Sequence, residues 1–81
     1  MSREGIIMAT ELFDVQGLRC PQPVMKVAAK SVDMPPGSVL EVLADCPSFP
    51  RDIQTWCERA KKMLLFCRDE GGGKFRAQVQ F

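Results

Sequence analysis

Cys20 stands directly after Arg19 and directly before Pro21-Gln22-Pro23. A thiol becomes a nucleophile when something favours its thiolate, and a helix N-terminus or an adjacent cation does so. Pro21 fits the first helical position, where its missing N–H costs nothing. Pro23 also falls in the first turn, where N–H groups have no intrahelical partner. The pair therefore marks a rigid helix start with Cys20 just ahead of it. The chain has no histidine, which removes Ser-His and Cys-His arrangements. Covalent chemistry here must use a thiol activated by other means.

The other cysteines are Cys46, Cys57 and Cys67. None forms a C-x-x-C pair, and structural zinc would need all four at wide spacings, so no metal is expected. Cys57 falls on an apolar helix stripe and Cys67 in a strand, so both read as small buried hydrophobes. There is no P-loop or dinucleotide fingerprint, and no cofactor is expected.

Chain length, 81 residues, allows one domain with one core. A net charge of +1 gives no global attraction to nucleic acid or membrane, so no direct contact with either is expected. No apolar run approaches the ~20 residues of a membrane span. Between Met1 and Thr10 the only apolar cluster is at Ile6-Ile7-Met8, too short for a signal-peptide core. A cytoplasmic monomer is expected, with residues 1–10 a flexible tail and 11–81 the single domain.

Six elements must position Cys20. Residues 11–16 read as a strand, with Phe13 and Val15 on its core face. A helix from Pro21 to Val32 repeats Val24, Ala28 and Val32 at i, i+4, i+8, with Val27 alongside. Met34-Pro35-Pro36-Gly37 ends it. Residues 38–44 form a strand that is apolar on both faces, as a central strand is. Ser48 is a candidate N-cap for a helix over residues 49–62. Its stripe is Ile53, Trp56, Cys57 and Ala60, continued by Met63 and Leu64. Residues 63–68 and 75–81 are strands around a glycine-rich turn; Phe75, Ala77, Val79 and Phe81 face the core and Arg76, Gln78 and Gln80 face out. The order β-α-β-α-β-β, with a right-handed first crossover, predicts an α/β two-layer sandwich: a four-stranded mixed sheet with two helices on one face. Functional groups then gather where strands lead into helices, which places Cys20 and Cys46 in neighbouring loops.

The stretch from Leu12 to Pro23 resembles the signature of TusA-type sulfur carriers (the SirA-like family), whose core is Leu-Asp-x-x-Gly-x-x-Cys-Pro-x-Pro. Phe13 is an extra residue between the leucine and the aspartate. The turn at Met34 to Gly37, the strand end Ala44-Asp45, the helix start Arg51-Asp52-Ile53 and the paired glycine before the last strand also match. The resemblance spans Leu12 to Phe81. It implies the same sandwich and a persulfide carried on Cys20, with Pro21 and Pro23 fixing its loop. The partners it implies are a sulfur donor, either a cysteine desulfurase or a rhodanese-like protein, and an acceptor protein. The destinations it implies are tRNA thiolation, molybdenum-cofactor assembly or sulfur oxidation. Such a protein is a sulfurtransferase-type carrier without small-molecule catalysis of its own. Asp45 matches an acidic family position, for partner contact, tuning of the Cys20 site or simple capping. Arg19, Lys26 and Arg51 offer a basic rim for an acidic partner, or an ordinary solvated face.

Cys46 stands where the family often has a second acidic residue. It is expected to be a spectator in carriage. Two other readings stay open. One is a thiol-disulfide switch between Cys20 and Cys46, which requires Cα atoms within ~7 Å. The other is a non-catalytic regulatory module that contacts RNA through basic residues, with salt-sensitive binding.

Overall fold

The computed structural model describes residues 10–81. The expected flexible tail lies outside this range, except for Thr10, which opens the first strand. The elements are β1 (Thr10–Asp14), α1 (Gln22–Ser31), β2 (Val39–Ala44), α2 (Phe49–Ala60), β3 (Met63–Gly71) and β4 (Lys74–Gln80). One mixed sheet has the order β1-β2-β4-β3. β1 and β2 are parallel, and the other two pairings are antiparallel. The α/β fold is the one expected, with β2 central. Among the described residues no helix is long and apolar enough to cross a membrane.

Register separates the faces. Leu40 pairs with Val79 and Val42 with Ala77, and all four are fully buried. Val27 of α1 and Phe49, Ile53 and Cys57 of α2 join them in one core. Complete burial of each larger side chain contributes roughly 1.5–3 kcal/mol, so this layer fixes where both helices begin. On the opposite face Glu41 accepts hydrogen bonds from Arg76 and Gln78, and Arg76 also reaches Glu70.

Several boundaries differ from expectation. α1 starts at Gln22, with Pro21 at its N-cap and Pro23 inside the first turn. It ends at Ser31, so Val32 falls past the stripe and is 84% exposed. α2 ends at Ala60 because Lys61 turns left-handed, at φ 59°. The N–H of Lys62 then donates to the Cys57 carbonyl and that of Lys61 to the Glu58 carbonyl, a Schellman closure. Met63 therefore opens β3 opposite Gln80 and stays exposed, while Leu64 packs on the core. β3 runs three residues beyond Arg68, and Gly72 and Gly73, both at positive φ, close the hairpin.

Candidate functional site at two strand-to-helix loops

Parallel pairing of β1 with β2 puts both strand C-termini at one sheet edge. The loop after β1 carries Cys20 and the loop after β2 carries Asp45 and Cys46. Asp14 begins the first loop: its Oδ1 accepts the Gln16 N–H at 3.0 Å and the Gln16 side-chain amide at 3.1 Å. This Asx turn leads into Gly17, held at φ 89°. The Gly17 N–H then donates to Asp45 Oδ1 at 2.9 Å. Asp45 thus clasps one loop to the other.

Beyond the clasp, Cys20 and Cys46 form a disulfide with their Cα atoms 5.6 Å apart. That span lies within the ordinary range for a disulfide. Cys20 is exposed, whereas Cys46 is 2% exposed and belongs to the core. Cys46, expected to be a spectator in carriage, has its sulfur bonded to the Cys20 sulfur. The Cys20–Pro21 peptide bond is cis. The Gln22 N–H donates to the Arg19 carbonyl at 2.7 Å, and Pro23 is fully buried under the helix start. Pro23 therefore anchors the loop to the core as well as starting the helix.

The buried side of the disulfide meets two polar groups. Ser48 Oγ lies 3.5 Å from Cys46 Sγ and donates to Asp52 Oδ2 at 2.7 Å. Ser48 is the N-cap residue of α2, but its hydroxyl turns to Asp52 instead of a backbone N–H. The cysteine sulfurs and an Asp52 oxygen lie within 4.8 Å of one another. Once the disulfide is reduced, these three groups present two thiols and a carboxylate as candidate ligands. Cys57 and Cys67 are not in this cluster. Burial pushes the Cys57 thiol up to about 11 and raises that of Cys67. Both are protonated near neutrality.

The basic residues are divided between surfaces. Arg51 lines a cleft of about 300 Å³ between the helices, with Pro21, Val24, Asp52, Trp56 and Arg59. Lys26 lines a different groove of about 470 Å³, with Leu18, Gln22, Met25 and Ala29. Arg19 is exposed beside Cys20. Trp56, read as core, is half-buried and packs edge-on against Phe81 at 6.4 Å.

Sequence reasoning did not identify Asp14, Ser48 or Asp52 as parts of this site. Asp14 two residues before Gln16 and three before Gly17 was a readable turn signal. The spacing of Ser48 and Asp52, four apart at a helix start, was readable too. Their approach to Cys46 was not, because it depends on how the loop after β2 turns into α2.

The family described as "Sulfurtransferase TusA" matches residues 11–80. A protein named "Sulfur carrier protein TusA" from Pseudomonas paraeruginosa (strain DSM 24068 / PA7) is 39% identical over 61 residues, covering 75% of this chain and 77% of the relative. The protein of that name from Pseudomonas aeruginosa (strain LESB58) gives the same figures.

Proposed function

The chain belongs to the TusA sulfurtransferase family, and from that premise we propose that Cys20 carries sulfane sulfur as a persulfide from a donor protein to an acceptor. The observation that carries this reading is the placement of Cys20, exposed at the head of α1 in the loop that Pro23 anchors. A carrier needs a reactive sulfur at a rigid, accessible tip, which two partners can reach in turn.

Loading starts from the reduced chain. The Cys20 thiolate attacks the outer sulfur of a donor persulfide; a new S–S bond forms and the donor thiolate leaves. The acceptor takes that outer sulfur by the same exchange, and Cys20 returns as a thiolate. Because Cys20 is in a disulfide, a dithiol must first reduce it. In this reading the donor is a cysteine desulfurase or a rhodanese-like protein, and the setting is the cytoplasm. The sulfur passes to tRNA thiolation, to cofactor assembly or to sulfur oxidation. Arg19, Lys26 and Arg51 meet acidic partner surfaces, and Asp45 holds the Cys20 loop in register. The test is intact-protein mass spectrometry of the reduced chain after exposure to a persulfide-loaded donor. A Cys46→Ala chain gains one sulfur atom, and a Cys20→Ala chain gains none. Loading that survives Cys20→Ala rules out the assigned atom.

The Cα separation of 5.6 Å favours a second reading, a thiol-disulfide switch between Cys20 and Cys46. It requires the bond to form and break reversibly in a glutathione redox series, read as an alkylation shift. It is excluded if the thiols stay reduced across that series.

A further inference from the structure

A carrier in which a second thiol touches the carrying sulfur has a chemistry that a one-cysteine carrier lacks. Cys46 reaches Cys20 at a Cα separation that needs no backbone movement to make a bond. It does so from inside the core, at 2% exposure, next to Ser48 Oγ at 3.5 Å. Building on the reading of Cys20 as the sulfur-bearing residue, we propose that Cys46 resolves the Cys20 persulfide, so that the chain discharges its sulfur as hydrosulfide.

The step balances within the protein. The Cys46 thiolate attacks Sγ of Cys20, the inner sulfur of Cys20–S–SH. The bond between Sγ and the sulfane sulfur breaks, and HS⁻ leaves. The two cysteine sulfurs are oxidised together to the disulfide by two electrons. The sulfane sulfur accepts those electrons and becomes sulfide. The proton lost by Cys46 passes toward the Ser48 hydroxyl, which already donates to Asp52 Oδ2 at 2.7 Å. A protein or small-molecule dithiol restores both thiols for another cycle. The product is the Cys20–Cys46 bond observed in the structure.

Geometry selects the inner sulfur. Attack at the outer sulfur would move the persulfide onto Cys46, where 2% exposure hides it from any acceptor. Attack at the inner sulfur needs only the Sγ-to-Sγ approach that the disulfide records. Cys57 and Cys67 are not alternatives. Neither belongs to the cluster formed by Cys20, Cys46 and Asp52. Resolution within one chain also outruns resolution by dissolved thiols, because the partner sulfur is already in place.

The experiment uses the whole chain, reduced, freed of reductant and kept anaerobic, with one equivalent of glutathione persulfide. Intact mass and released sulfide are followed together. The wild-type chain ends two hydrogens lighter, as the disulfide, with one sulfide released. Cys46→Ala keeps one added sulfur, with a persulfide lifetime at least about 100-fold longer. A wild-type chain that keeps the added sulfur as long as Cys46→Ala does, without sulfide, overturns this step and leaves Cys20 as a carrier. Glutathione in place of sulfur on Cys46→Ala overturns it too, since the disulfide would then arise without a persulfide. Sulfur gain or sulfide release undiminished in Cys20→Ala removes the carrier reading itself. The wild-type arm decides the question even if the buried substitution weakens the fold.

Discussion

Asp45 Oδ1 accepts the Gly17 N–H at 2.9 Å, joining two loops 28 positions apart in sequence. The bond sits between the β1–β2 edge and the Cys20–Cys46 disulfide, and it is the one side-chain hydrogen bond described between these loops. A hydrogen bond to a carboxylate at an exposed site contributes about 1 kcal/mol net. We expect Asp45→Ala to lower the melting temperature by roughly 4–8 °C, the scale of 1 kcal/mol in a domain this small. Asp45→Asn, which keeps an Oδ1 acceptor, should lose less than half of that. Equal losses would mean that the charge, and not the clasp, supports the loop.

The disulfide closes a loop with a sequence separation of 26. On chain entropy alone, such a crosslink stabilises the fold by about 3.5 kcal/mol relative to the reduced chain. Reduction should therefore lower the melting temperature by roughly 14–28 °C. Calorimetry with and without a dithiol reads this directly. An unchanged melting temperature would show that the reduced denatured chain is no less restricted than the oxidised one.

Lys61 adopts φ 59° at the end of α2 without being glycine. A left-handed residue with a Cβ carries roughly 1–2 kcal/mol of strain, partly offset by the extra freedom glycine has when unfolded. Lys61→Gly should raise stability by about 0.5–1 kcal/mol, seen as a higher urea midpoint at constant slope. The variant keeps the Schellman bonds, so a lower midpoint would mean that the lysine side chain contributes more than its backbone costs.

Much of this fold was legible because its signals are local. Alternation in Phe75 to Phe81 and the stripe of Ile53 and Cys57 each report one buried face. The Pro-x-Pro after Cys20 and the β-α-β order placed the cysteine loops side by side, since parallel strands carry their loops to one edge. What was misread lay where one residue decides. Lys61 resembles any helical lysine, so Met63 was assigned to the helix stripe until the chain's reversal put it on the open face. Val32 fitted the period but fell past the last turn. Asp52 read as a helix-start acid, and only the turn from β2 into α2 brings it, through Ser48, to Cys46. The first strand was read as running to Gln16, but the acceptor of the Gly17 N–H just past it lay 28 positions away.

Alkaline titration should expose the buried thiols. Burial raises the folded-state pKa of Cys57 to about 11, and burial raises that of Cys67 as well. An unfolded cysteine titrates near 8.5. Between these values the unfolded chain loses the Cys57 proton while the folded chain keeps it, so the folded state binds more protons there. Stability then falls as pH rises. Cys57 thus contributes its full share below about pH 8.5, and that share is lost as pH climbs through about 11. Because Cys20 and Cys46 do not titrate as a disulfide, urea unfolding of the oxidised chain across this window reports the other two thiols together with Lys30, which its hydrogen bond to Glu11 holds above the usual lysine range. Cys57→Ala isolates one of them: its stability is lower throughout, but its decline with pH should be shallower than that of the wild-type chain. Iodoacetamide at pH 8 should leave Cys57 unmodified in the folded chain and label it in urea. An equal pH slope in Cys57→Ala would show that this thiol ionises in the folded chain no later than in the unfolded one.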